Sequence, residues 1–285
     1  MRIAGSKHSI WNRMVQGARI YIQGRLKQVY YGYRINLRHE TPVIVYQMGK
    51  VGSSSISKSL AQQQSNPVFH IHRMNLQNIN DVYREHKTAD MIPPDESLGI
   101  LLNKHIIKKN RPAKIITLVR EPIERNMSAF FQNYERFVGQ RYNKSIKDVD
   151  GLIQRFFDAY NHTVPLTWFD IEMKTVLDID VFQHPFPYDK GYAILERLPY
   201  ELLILKLETE EAVKAEAVGK FLNIANFKLS RHNIGEHKVY SKTYKEFKRH
   251  INVPKGYVDK MCKSKYMRHF YSSEEIEAIR RKWLL

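Results

Sequence analysis

Four short apolar runs, rich in β-branched residues, limit the folds open to this chain more than any other feature. They are Thr41–Met48 (TPVIVYQM), 67–72 (PVFHIH), Lys114–Val119 (KIITLV) and Leu202–Leu207 (LLILKL), each with the length and residue types of a buried strand. The pattern turns helical in the segment after Met48, over 97–109, after Pro122 and over 210–223. Strands alternating with helices predict an α/β fold, a three-layer sandwich with a central parallel sheet covered on both faces. Ligands of such sheets bind beyond the carboxyl ends of the strands. The loops after Met48, His72, Val119 and Leu207 are therefore expected to converge on one site. Residues 139–166 and 178–200 show the least regular pattern and are expected to be insertions beside that site.

A chain of 285 residues supports one large core, and no composition shift marks a linker. The organisation expected is a basic amphipathic N-terminal segment, 1–40, followed by one globular domain, 41–285. Within the first segment, residues 8–38 interleave aromatic and aliphatic side chains with Arg13, Arg19, Arg25, Lys27, Arg34 and Arg38. The reading preferred is a helix packed on the protein's own body; association with a membrane surface or an acidic partner is the other. No run approaches the ~18 to 20 apolar residues of a spanning helix. The single cysteine, Cys262, excludes an internal disulfide and a multi-cysteine metal site, which fits a cytoplasmic setting, at the inner face of the membrane if the N-terminal segment binds there. The formal charge of +17 attracts anions without choosing among nucleotides, nucleic acid, acidic glycans and anionic lipid.

The choice comes from two local motifs. After the first strand runs Gly49-Lys50-Val51-Gly52-Ser53-Ser54-Ser55, then a helix. Two glycines let backbone approach a ligand, the hydroxyls add donors, and the unpaired N–H groups opening the helix attract phosphate. Lys50 would place its ammonium where charge builds on a departing phosphate. The plainer reading is a solvated loop with a serine capping the helix. The segment is a poor ATPase loop, because its lysine precedes the second glycine and no Ser or Thr follows it directly. The second motif begins with Arg120, at the end of KIITLV, with Ser128 two helical turns onward. A forked guanidinium and a hydroxyl describe another phosphate contact. Pairing of Arg120 with Glu121 or Glu124 is the structural alternative.

At these residues the chain resembles the PAPS-dependent sulfotransferases, in which a Lys-x-Gly-Ser/Thr-Ser/Thr loop binds the 5'-phosphosulfate and an Arg with a Ser eight residues later binds the 3'-phosphate. Lys50, Gly52, Ser53 and Ser54 match the first pattern, and Arg120 and Ser128 the second. VREPIERNMSAFF is similar to carbohydrate sulfotransferases. WFDIEMKTVLDIDVFQHPF, Gly191-Tyr192, LLILKLE and FYSSEEIEAIRRKW resemble a bacterial sulfotransferase-like family of capsular polysaccharide synthesis proteins. The resemblance covers roughly residues 41–285. It implies a P-loop-like sulfotransferase fold, PAPS (3'-phosphoadenosine-5'-phosphosulfate) as donor, no metal, and a carbohydrate hydroxyl as acceptor, from a polysaccharide or its precursor. No nucleic acid is expected as a partner.

Sulfonate transfer needs a base for the acceptor hydroxyl. His70 and His72 alternate onto one face of the second strand; His72, nearer its carboxyl end, is the preferred base and His70 the substitute. The resemblance also implies a late basic loop over the donor nucleotide, with Asn233, Gly235, Lys238 and Lys242 as candidates. Glu208 is expected to orient a loop or contact substrate, or else to serve as a carboxylate at a helix N-terminus. Trp168, Phe169, Phe182, Phe186 and Tyr192 are expected mostly in the core, with a sugar-stacking cleft as the alternative. Two rival functions stand beside this reading: a phosphate-loop kinase, which requires a magnesium-holding hydroxyl, and a non-enzymatic polyanion-binding protein, whose affinity would track salt more than any one arginine.

Overall fold

A computed structural model describes residues 26, 29–36, 40–85, 94–139, 148–230 and 239–284. Its elements run in chain order as helix α1 (29–36), β1 (Val43–Tyr46), α2 (Ser53–Gln63), β2 (Val68–Ile71), α3 (Leu76–Glu85), α4 (Pro94–Leu102), β3 (Ala113–Val119), α5 (Pro122–Gln132) and α6 (Tyr134–Val138). There follow α7 (Val149–Ala159), α8 (Val164–Trp168), α9 (Thr175–Leu177), β4 (Tyr192–Arg197), β5 (Tyr200–Lys206), α10 (Glu211–Leu222), α11 (Ser241–His250), α12 (Lys255–Cys262), α13 (Lys265–Phe270) and α14 (Ser273–Leu284). Wider π-helical turns extend α4 over Asn103–Ile107 and α8 over Phe169–Lys174.

The sheet has five strands in the order β2-β1-β3-β5-β4, and the first four are parallel. Those four are the four apolar runs. All of β1 is buried, as are the last five residues of β3 and of β5. Successive side chains point to opposite faces, so both faces of the central strands are covered, as an α/β fold requires.

The fifth strand corrects the sequence reading. β4 lies within 178–200, expected to be irregular, and pairs antiparallel with β5 at the sheet edge. Its residues YAILER are only partly apolar because an edge strand buries one side. Similarly, 139–166 contains α7, whose Leu152 and Phe156 are buried.

The apolar interior falls into two clusters. One surrounds the sheet; the other joins α5, α7, α11, α12 and α14 around Phe130, Phe131, Phe156 and Phe247. Leu166, Ile276 and Ile279 pack against both. The second cluster grips the buried side of α5, which carries the second motif.

Candidate functional site

The loop between β1 and α2 is shaped by its backbone. Gly49, Lys50 and Gly52 are left-handed, at φ of 82°, 65° and 83°; for Lys50, an L-residue with a Cβ, that costs roughly 1–2 kcal/mol. Gly52 also has no room for a side chain, since a Cβ there would lie 2.4 Å from Leu207 Cδ1. The loop after β5 therefore presses directly on the loop after β1.

Beneath this turn lies Arg125, a residue the sequence reading passed over. Its Nη2 donates to the Met48 carbonyl at 2.6 Å and its Nε to that of Gly49 at 3.1 Å. Its Nη1 donates to Tyr160 Oη at 2.8 Å and to Asn126 Oδ1 at 3.0 Å. None of these four acceptors is a carboxylate, and Arg125 is only 4% exposed. Burial lowers its pKa from the ordinary 12.5, yet a guanidinium keeps its proton in proteins. A positive charge is thus fixed under the turn, offset there by neutral dipoles alone.

The turn delivers the chain into α2 with Gly52 as N-cap and no side-chain cap bond. The serine cap that the plainer reading required is not formed. The helix opens with uncapped N–H groups and no acidic residue in its first turn, an arrangement suited to an anion. Ser54 and Ser55 are half-buried there. Ser53 differs from its expected role: it is buried, and its hydroxyl lies 2.9 Å from His70 Nε2. That hydroxyl is engaged inward, which leaves the Ser53 backbone for a ligand. Lys50 Nζ donates to Gln132 Oε1 at 3.3 Å, at the far end of α5.

Arg120 stands against the same turn. Its Nη1 donates to the Lys50 carbonyl at 3.0 Å, while its Nη2 is 3.5 Å from Glu124 Oε2. The structural alternative is therefore formed, since Arg120 pairs with Glu124, and the same guanidinium also touches the turn. Glu124 carries two more cations, Lys248 in a very short contact and Lys282 at 3.6 Å. Burial alone would raise the Glu124 pKa; the Lys248 hydrogen bond and the charges of Arg120, Lys248 and Lys282 outweigh it and lower the value to about 2. The Arg120 backbone is fixed at both ends, because its N–H donates to Tyr266 Oη and the Tyr266 hydroxyl donates to its carbonyl, each at 2.9 Å. Ser128 is half-buried two turns along α5.

His70 and His72 share one side of β2, ring centroids 5.4 Å apart, and both meet the side chain of Gln47, which is fully buried. The Gly49 N–H donates to Gln47 Oε1, so the amide nitrogen must face the rings: it lies 3.0 Å from His70 Nε2 and 2.8 Å from His72 Nδ1. His70 Nε2 thus meets two donors, Gln47 and Ser53, leaving it poorly placed to take a further proton. His72 Nδ1 is also 3.1 Å from the Gln47 carbonyl. The amide calls for a lone pair on Nδ1 and the carbonyl for a proton; of the two neutral tautomers, the one protonated on Nδ1 carries its lone pair on Nε2, the form a general base needs.

The loop after His72 is tied down by residues distant in sequence. Trp168 Nε1 donates to the His72 carbonyl at 3.0 Å. The buried Glu172 accepts the N–H groups of Met74 and Asn75, both at 2.9 Å, and the Tyr46 hydroxyl. Glu208 takes the loop-orienting role: it accepts the Glu121 N–H at 3.0 Å and the Tyr271 hydroxyl at 3.1 Å. All four expected loops thus meet at one end of the sheet. A pocket of about 110 Å³ opens beside the turn, lined by Gly52, Ser55, Ile56, Leu118, Leu207 and Leu229 among others.

Trp168, Phe169 and Phe186 are buried in the core, and Phe182 and Tyr192 pack against it; core packing is the role these aromatics fill. Lys242 is exposed in the first turn of α11. Asn233, Gly235 and Lys238 lie outside the described residues.

Comparison with known proteins gives one match. Residues 139–272, just under half the chain, match a family model described as "Putative capsular polysaccharide synthesis protein", in keeping with a polysaccharide-related role. No curated protein and no solved structure matches the chain. The matched span holds Trp168, Glu172, Glu208 and Tyr266; the turn and Arg120 precede it.

Proposed function

We propose that the protein transfers a sulfonate group from PAPS to a hydroxyl of a carbohydrate acceptor, a polysaccharide or its precursor. The observation that carries this reading is the contact of Arg120 with the turn, its Nη1 3.0 Å from the Lys50 carbonyl: the forked cation and the lysine-bearing loop are near enough for one adenosine bisphosphate to touch both, and the space they share is read as the donor recess. In that recess the uncapped start of α2 and Lys50 hold the 5'-phosphate, Arg120 and Ser128 hold the 3'-phosphate, and the pocket beside Gly52 takes the base. The acceptor oxygen attacks sulfur in line as the bond from sulfur to the 5'-phosphate oxygen breaks. His72 Nε2 takes the acceptor's proton, and 3',5'-ADP leaves, its new charge met by Lys50 and the α2 N-terminus.

The test follows labelled sulfonate from PAPS to a panel of carbohydrates. Lys50→Ala and Arg120→Ala should each lower kcat/KM by about 100-fold or more, as expected for lost donors to developing charge. Normal transfer by both variants would overturn the assignment. Thermal shift separates the rivals: 3',5'-ADP without magnesium should stabilise by about 2.7 kcal/mol at a hundredfold excess over Kd, whereas a kinase responds to ATP with magnesium.

A further inference from the structure

Away from the recess, one face of the molecule shows a pattern that catalysis does not use. Helix α1 is seated on the edge strand β2: Ile35 is 2% exposed, the Tyr31 ring lies 6.4 Å from that of Phe69, and the Arg34 guanidinium is 6.0 Å from the same ring. Its other side carries Val29, Tyr30 and Tyr33, and Leu26 precedes it in the chain, also in helical conformation; all four are between 53% and 72% exposed. Val29, Tyr30 and Tyr33 share one face of the helix, and the spacing of Leu26 matches the same stripe. Soluble helices bury such a stripe; here the helix already has a buried side, and the apolar residues are on the other.

Charge accompanies the stripe. Eight Lys and Arg residues and no Asp or Glu precede Glu40. Arg111 Nη1 donates to the Ile35 carbonyl at 2.9 Å, which binds α1 to the segment 103–111, where Lys104, Lys108 and Lys109 are exposed. Aliphatic and tyrosine side chains on a helix tied to a lysine-bearing segment match the boundary of an anionic bilayer, where apolar groups enter the acyl region, tyrosine sits at headgroup level and cations meet lipid phosphate. A nucleic acid would answer the charge and leave Leu26 and Val29 in water.

We infer that α1 and the lysines of 103–111 form a docking face for an anionic lipid surface, independent of the reaction at the other side of β2. Among the described residues no helix is long and apolar enough to cross a membrane, so the attachment is peripheral. The experiment is flotation of the full chain with vesicles of phosphatidylcholine alone and of phosphatidylcholine mixed with phosphatidylglycerol, alongside light scattering. The protein should float with the anionic vesicles only. A triple variant, Leu26→Ser with Val29→Ser and Tyr33→Ser, should bind them about tenfold more weakly or worse, with an unchanged melting temperature because these side chains are exposed. Lys104→Gln, Lys108→Gln and Lys109→Gln should each cost about fivefold, the equivalent of roughly 1 kcal/mol per surface cation. Equal flotation of wild type and triple variant, no flotation with either vesicle, or a dimer that the triple variant dissociates would each overturn the assignment; the last would give the stripe to a second copy.

Discussion

Helices α2 and α5 both follow a buried parallel strand, both run for 11 residues, and both begin at the same end of the sheet, yet their first turns are finished in opposite ways. α5 is closed: Glu121 accepts the N–H groups of Ile123 and Glu124 at 2.7 and 2.8 Å, and a second carboxylate, Glu124, lies in its first turn. α2 is open, with a left-handed glycine for a cap and serines where carboxylates would neutralise the helix end. One sheet thus sets side by side a helix whose N-terminus is capped by its own side chain and one whose N-terminus carries no side-chain cap. In the proposed site the closed helix would contribute through its flanking arginine and the open one through its backbone.

Three experiments break or sharpen this contrast. Gly52→Ala attacks the open end most severely, combining a left-handed alanine with the clash against Leu207; a loss of about 2–4 kcal/mol is expected in denaturant melts, together with loss of the 3',5'-ADP thermal shift. Stability unchanged within error would show that the turn can rearrange without cost. Glu124→Gln releases three cations from the closed end and should cost no more than about 3 kcal/mol at neutral pH. Its pKa is depressed on folding, so its stabilisation is present above about 4.5 and is lost as pH falls towards about 2; the variant should lack that acid limb. Glu121→Ala, the smallest effect, removes a cap and should cost about 1 kcal/mol. Here the sign reverses. Burial raises Glu121 from 4.5 to about 7, against the pull of its backbone bonds, so the native state holds a proton that the unfolded chain has released. Its contribution therefore declines as pH rises from about 4.5 through 7. Melting temperatures across that interval should be flatter in Glu121→Gln than in wild type.

The strands β1, β3 and β5 were readable because their burial on both faces demands continuous apolar runs, and the edge strand β2, buried at alternate residues, because its short run still alternates. β4 was not: it satisfies its backbone against β5 from a half-exposed edge, a pairing written in no local pattern. The same division runs through the site. Lys50, Gly52 and Arg120 stand out locally because each belongs to a short motif at the end of a readable strand. Gln47, Arg125 and Glu172 pass unnoticed, since a buried polar residue takes its meaning from partners such as His72, Met48 or Met74, 25, 77 and 98 positions away. Only a rule that every interior polar group must find a partner could have singled them out, and the sequence does not disclose that they are interior.

The guanidinium of Arg125 is buried under the turn and tied to four neutral acceptors. Its charge is a fixed part of the fold, so a small dianion placed above the turn would meet a cation that no carboxylate among those acceptors offsets. Multivalent anions such as sulfate should therefore raise the melting temperature of the protein more than chloride does at equal ionic strength.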